Sequence, residues 1–136
     1  MKAPILLVLA LALPLGAAAN EEGGKEAANK VMYYSLNPPM VGNYALDGGQ
    51  RLHVYKADIA LKVTGAEAEA ALKRHEPLVR NQLVQLFTQQ TQDAMSSMEG
   101  KEKLRQEALK QTQQVFNDEE GKPVVEDLLF NNLIIQ

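Results

Sequence analysis

Arg51-Leu52-His53-Val54-Tyr55-Lys56-Ala57-Asp58-Ile59-Ala60-Leu61-Lys62-Val63-Thr64 is the stretch on which the fold turns. Read with a period of two, His53, Tyr55, Ala57, Ile59, Leu61 and Val63 share one face, and Leu52, Val54, Lys56, Asp58, Ala60 and Lys62 share the other. The first face is suited to packing; the second turns polar in its middle. A strand with one packed and one partly wetted face belongs in an antiparallel sheet covered by helices on one side.

Upstream, Asp47-Gly48-Gly49 is a turn signal, because glycine accepts positive φ without steric cost, and a hairpin through it is the natural connection. Val31 to Leu46 is strand-like but interrupted: Val31-Met32-Tyr33-Tyr34 favours extended structure, while Pro38 and Pro39 remove two backbone donors. Such a segment fits a sheet edge or an irregular lead-in.

Downstream, Thr64-Gly65 stops the strand and Ala66-Glu67-Ala68-Glu69-Ala70-Ala71-Leu72-Lys73 has strong helix composition. Thr64 is the expected N-cap, with Glu67 completing a capping box, and Lys73-Arg74 following the acidic first turn suits the helix dipole. Pro77 costs a helix interior about 3 kcal/mol, which predicts a kink or a restart there. Leu72, Val79, Leu83, Leu86 and Phe87 form the apolar stripe, and a continuous element to Gln90 would run roughly 37 Å. Met95, Met98 and Gly100 fall in a connecting turn or short helical piece. Lys101 to Asn117 is amphipathic, with Leu104, Ala108, Leu109, Thr112, Val115 and Phe116 on its apolar side, and Gly121 and Pro123 lie beyond its end. Val124 to Gln136 is a terminal strand whose apolar clusters are continuous more than alternating, which predicts a largely central place in the sheet. The order β, β, α, α, β gives an α+β fold: a small antiparallel sheet with two amphipathic helices on one face.

The chain has 136 residues and no cysteine, which removes disulfides, thiolate zinc sites and cysteine nucleophiles. Fourteen Lys and Arg against seventeen Asp and Glu lack the positive excess of a generic nucleic-acid binder. Lys2, the apolar run Ile5 to Leu13, the helix breakers Pro14 and Gly16, and Ala17-Ala18-Ala19 form a secretory signal pattern. Cleavage is expected between Ala19 and Asn20, leaving about 117 residues. The alternative is an uncleaved anchor, for which the strongly apolar stretch is short of the roughly 20 residues a span requires. The organisation expected is therefore a signal peptide over residues 1–19, a Glu/Ala/Gly/Lys-rich tail or linker over 20–30, and one domain over 31–136.

Chemistry is sparse. His53 and His75 lie on different predicted elements, and neither a His-Glu-x-x-His pattern nor a calcium-loop pattern occurs. His75-Glu76 reads as a surface pair, and Gly23-Gly24 and Gly48-Gly49 as linker and turn. Glu119-Glu120 and Glu126-Asp127 read as solvated charge, since general-acid work needs a buried carboxyl with a raised pKa. No catalytic, cofactor-binding or metal-binding residue is assigned. Met95 and Met98 read as core filling at helix ends, with a soft contact surface as the other reading. Gln82, Gln85, Gln89, Gln90, Gln92, Gln106, Gln111, Gln113 and Gln114 crowd the helices; they are neutral solvated surface or amides that bond across a subunit interface.

Together these segments resemble the flagellar basal-body-associated FliL family. Tyr34-Ser35-Leu36-Asn37-Pro38-Pro39-Met40-Val41-Gly42-Asn43-Tyr44 looks like its opening block, and Arg51 to Leu61 is similar to its main strand. Pro77-Leu78-Val79-Arg80-Asn81-Gln82-Leu83 matches its helical block, Gly100-Lys101-Glu102-Lys103-Leu104-Arg105 its Gly-x-x-x-Leu-Arg step, and Leu128 to Gln136 its closing strand. The resemblance implies a periplasmic domain like the stomatin/prohibitin fold, ring-forming around the stator units of the flagellar motor, without catalysis or cofactor. Members of that family typically keep a transmembrane helix; here the cleavable start implies a protein peripheral to the inner membrane, with an anchored protein as the alternative. The partners implied are stator and basal-body proteins and further copies of the chain, and no nucleic acid. The tail Asn20 to Val31 would face the membrane partner and the Gln-rich faces the neighbours. A periplasmic accessory or ligand-binding domain unrelated to motility is the alternative function.

Overall fold

The computed structural model describes residues 28–45 and 51–136. The expected signal peptide with its Ala19/Asn20 junction, the linker up to residue 27, and the Asp47-Gly48-Gly49 turn lie outside the described residues. Among the described residues the fold is α+β, a small antiparallel sheet with three helices of five residues or more, one more than the two expected.

The alternating stretch forms strand β3 (His53–Thr64), and it is the central strand. Strands β1 (Val31–Ser35) and β2 (Met40–Tyr44) share one of its edges. Val31 lies opposite Thr64 and Ser35 opposite Ala60, whereas Met40 lies opposite Ala57 and Tyr44 opposite His53. The Leu36 N–H still donates to the Ile59 carbonyl (2.9 Å) before the chain leaves the ladder at Asn37-Pro38-Pro39. β1 and β2 are thus one edge strand broken at its prolines, as their missing donors require.

Strand β4 (Asp127–Ile135) takes the opposite edge of β3. The expected central position is therefore corrected: β3 occupies the centre and the terminal strand is an edge. The misleading signal has a physical source. Asp58 faces Asn132 but Ile59 faces Phe130, so a bulge at Asn131 shifts the alternation by one residue. Leu128 and Phe130 before it, and Leu133 and Ile135 after it, then pair with inward-facing residues of β3. A broken period of two looks like a continuous apolar run.

Tyr55, Ala57, Ile59, Leu61 and Val63 are buried, as the strand's inward face demands. Helix α1 (Ala66–Thr88) covers this face with Ala71, Leu72, Val79, Leu83, Leu86 and Phe87; Tyr55 and Phe87 meet edge to face at 5.1 Å. α1 continues through Pro77 as one helix, so the expected restart does not occur. Pro77 is exposed, so the Lys73 carbonyl that loses its helical donor lies toward water. Nor is Thr64 the N-cap. That position belongs to Gly65, at φ 93° and with no side-chain cap bond, while the Thr64 hydroxyl donates to Glu126 (2.8 Å). A Cβ on Gly65 would lie 2.7 Å from the Ala28 carbonyl oxygen, and the Gly65 N–H donates to the Lys30 carbonyl, so close approach and positive φ together demand glycine here.

Met95 is buried in a short helix α2 (Gln92–Ser96) capped by Thr91, whose hydroxyl accepts from the Ala94 N–H (3.1 Å). Helix α3 (Met98–Glu120) starts earlier than Lys101 because Ser97 caps it, accepting from the Gly100 N–H at 3.0 Å. It ends at Gly121, at φ 75°. α3 buries Leu104, Ala108, Thr112 and Phe116, with the Thr112 hydroxyl satisfied by the Ala108 carbonyl. A Cβ on Gly100 would lie 2.7 Å from backbone atoms of Ala94, so this glycine lets α2 lie against the first turn of α3.

Candidate interaction surfaces

Half of the ion pairs among the described residues tie one part of the fold to another, and half are local to one helix. His75 does not pair with Glu76: its Nε2 lies 2.8 Å from Glu120 at the end of α3, with the ring edge-on to Phe116, and Arg74 donates to the same carboxylate. Those two bonds, that from Arg74 the larger, hold the Glu120 carboxyl below its ordinary range. Glu76 instead accepts from the Tyr34 hydroxyl (2.8 Å), a bond that raises the Tyr34 pKa. Glu126 accepts from Thr64 and lies 3.8 Å from Lys62. Of the four carboxylates read as solvated charge, Glu120, Glu126 and Asp127 are therefore structural anchors.

Arg105 is the busiest. It donates to both Glu102 oxygens, to Asp127 (2.8 Å) and to the Leu128 carbonyl (3.1 Å), fastening α3 to the first residues of β4. The Glu102 bonds lower the Glu102 pKa. The Gly-x-x-x-Leu-Arg step thus has a physical sense: close approach at Gly100, core burial at Leu104, a clasp on the sheet at Arg105. Its spacing could have suggested one helix face; its partner lay in a strand the sequence does not connect to it.

The glutamines divide. Gln82 donates to Gln111 (2.8 Å), joining α1 to α3, and Gln113 donates to the Val125 carbonyl. These two are internal ties, not offered amides. Gln85, Gln89, Gln92, Gln106 and Gln114 are exposed. Met95 is core, whereas Met98 is 90% exposed, so its expected core role is corrected and the soft contact surface applies to it. At that position the helix has only begun and nothing lies over it.

Several surfaces remain open among the described residues. The other side of the sheet, over which no helix lies among the described residues, carries Tyr33 opposite Lys62 opposite Asp127, and Val41 opposite Lys56 opposite Ile134. Val41 and Tyr33 are more than half exposed, giving a face of mixed apolar and charged residues in which Lys56 and Lys62 stand beside Asp58 and Asp127. A second surface is a cleft of about 390 Å³ between the start of α3 and the second half of β4. Another cleft, about 490 Å³, lies where His53 and Ala45 meet Thr88 to Gln92. Among the described residues no group of three or more His, Cys, Asp or Glu is placed to hold a metal ion. His53 meets the Tyr44 ring at a tilted angle, centroids 5.3 Å apart, while His75 packs against Phe116. Within the same residues no helix is long and apolar enough to cross a membrane.

Compared with known proteins, residues 33–136 match the family described as "Flagellar basal body-associated protein FliL". The "Flagellar protein FliL" of Aquifex aeolicus (strain VF5) is 28% identical over 104 residues, which are 76% of this chain. The chain spans about 60% of that relative's length.

Proposed function

The chain belongs to the FliL family of flagellar basal body-associated proteins, and from that premise we propose a periplasmic, non-enzymatic scaffold that supports the stator units of the flagellar motor. The family match, running from β1 to the last residue of the chain, is the observation that carries the reading. Export rests on the Lys2, Ile5–Leu13 and Ala17–Ala19 pattern, with cleavage before Asn20, a tail over 20–30 and the domain over 31–136. The protein is then peripheral to the inner membrane, with its tail toward the membrane partner.

The proposed chemistry is interface burial. Copies of the domain, stomatin/prohibitin-like in its layering, meet head to tail and close by rotation into a ring, with stator and basal-body proteins as the other partners. Support for a mechanical role comes from the side chains. Arg74, His75, Arg105, Glu120 and Asp127 bond between elements and stiffen the unit, leaving the other face of the sheet for contacts.

Deleting the gene in its native host tests the reading. Swimming under high viscous load falls and returns on complementation, while filaments still assemble; unchanged swimming under load overturns it. Light scattering over a concentration series tests self-association, and a strict monomer at every concentration removes the ring.

A further inference from the structure

The geometry points to the outer edge of β4 as an acceptor for an extended, acidic and apolar segment of a partner protein, bound by strand addition beside the N-terminal turns of α3. The inference rests on the fold alone and stands independently of the motor assignment.

The edge is open where it matters. Gln136 and Val54 exchange both backbone bonds (2.8 and 3.2 Å), so this pair points its groups inward. Alternation along an antiparallel ladder then turns the N–H and C=O of Ile135 and Leu133 away from β3. Beyond the bulge the opposite parity holds: the Leu128 carbonyl faces outward, where Arg105 takes it, and Phe130 follows in the same sense. Among the described residues, the outward groups of Phe130, Leu133 and Ile135 have no partner. Three rungs without a protein partner form a template on which another extended main chain can pair in place of water.

The side chains beside these rungs lack a cover. Phe130, Leu133 and Ile135 pair with the buried side of β3 yet are only half-buried, and a cleft separates Phe130 and Leu133 from the first turns of α3. Met98 projects into the same cleft, 90% exposed. An added strand with apolar residues at alternate positions would complete this layer. Met98, Lys101 and Arg105 are spaced by three and four residues, and so line one helix face along the cleft. Arg105 is held by Glu102 and Asp127, whereas Lys101 has no ion-pair partner among the described residues. Glu102 also lines the cleft but is engaged by Arg105, so among the described residues Lys101 is left as a cation without an ion-pair partner beside the rungs and favours a segment carrying carboxylates.

The test uses the full chain and three labelled eight-residue peptides: alternating valine and glutamate, alternating valine and lysine, and the glutamate peptide N-methylated at alternate residues. Fluorescence anisotropy reports binding, and amide hydrogen exchange reports protection at Phe130, Leu133 and Ile135. The glutamate peptide binds and protects those amides; N-methylation weakens it at least about thirtyfold by removing several hydrogen bonds. The lysine peptide and the variant Lys101→Glu each bind about threefold or more weakly. Ile135→Pro deletes an outward donor that the β3 ladder does not use; the variant stays folded by circular dichroism and loses peptide binding. No binding by the glutamate peptide, or binding indifferent to N-methylation, overturns the proposal. So does an edge already occupied by a second copy, seen as a dimer that Ile135→Pro dissociates.

Discussion

Replacing Tyr55 with Phe removes one oxygen from a side chain with no solvent exposure. The Tyr55 hydroxyl is buried without a hydrogen-bond partner, and an added Cβ at Gly42 would lie 2.8 Å from it. Burial also pushes the Tyr55 pKa above its usual value, the mark of a polar group held in a poor solvent. An unsatisfied buried polar group costs about 1–3 kcal/mol, and the void left by one oxygen offsets part of the gain on its removal. Tyr55→Phe should therefore stabilise the domain by about 1 kcal/mol, raising Tm by about 4–8 °C at this domain size. Gly42→Ala should destabilise by about 1–3 kcal/mol through overpacking. In the double variant that cost should shrink, because the oxygen contact is gone while ring carbons remain at 2.9 and 3.0 Å. Urea unfolding of the two single variants, the double variant and the parent measures all four terms. A loss of about 1 kcal/mol in Tyr55→Phe would refute the reasoning, because the hydroxyl would then be making a bond worth keeping.

Gly100→Ala should destabilise by about 1–3 kcal/mol in thermal melts, since its Cβ would meet backbone that cannot swing aside. Removing Leu133 to Gln136 strips the partners of Val54 to Ala57 and should lower the melting temperature far more than removing Glu21 to Glu26; equal effects would contradict the pairing. The lowered pKa values of Glu102 and Glu120 place their contribution to stability above about pH 4.5, lost as pH falls through their folded-state values. Glu120→Gln should flatten that acid limb in urea midpoints. The raised Tyr34 and Tyr55 values act at the other end: their contribution is complete below about pH 10 and is lost as pH rises through the folded-state values, so tyrosinate absorbance should appear late and together with unfolding.

How far the sequence could be read depended on the range of the interactions. β3 was plain because its alternation lies within one strand and one face is fully packed. The broken edge of β1 and β2 was plain because proline acts on its own backbone. β4 misled, since a bulge at Asn131 is chosen by pairing with Asp58 and Ile59, more than seventy residues away. Thr64 looked like a cap on local spacing, but its hydroxyl is held by Glu126 from the start of the last strand. Pro77 was weighed as a helix breaker at full cost, whereas its exposed side lets water replace the lost donor. The candidate surface was the least legible part. Nothing local in sequence marks Met98 as free or Glu120 and Asp127 as bound; that depends on Arg74 and His75 of α1 reaching Glu120 and on Arg105 of α3 reaching Asp127.

The proline-broken strand has a consequence for how large an assembly could grow by strand addition. Its two short pieces lie out of phase, so the margin they form makes a poor donor for a neighbour's β4, while that β4 margin is continuous but for one bulge. A sheet able to receive on one flank and ill-suited to give on the other is monovalent in this respect. Occupancy ends the process instead of seeding the next step, and so guards a concentrated protein against runaway fibre formation.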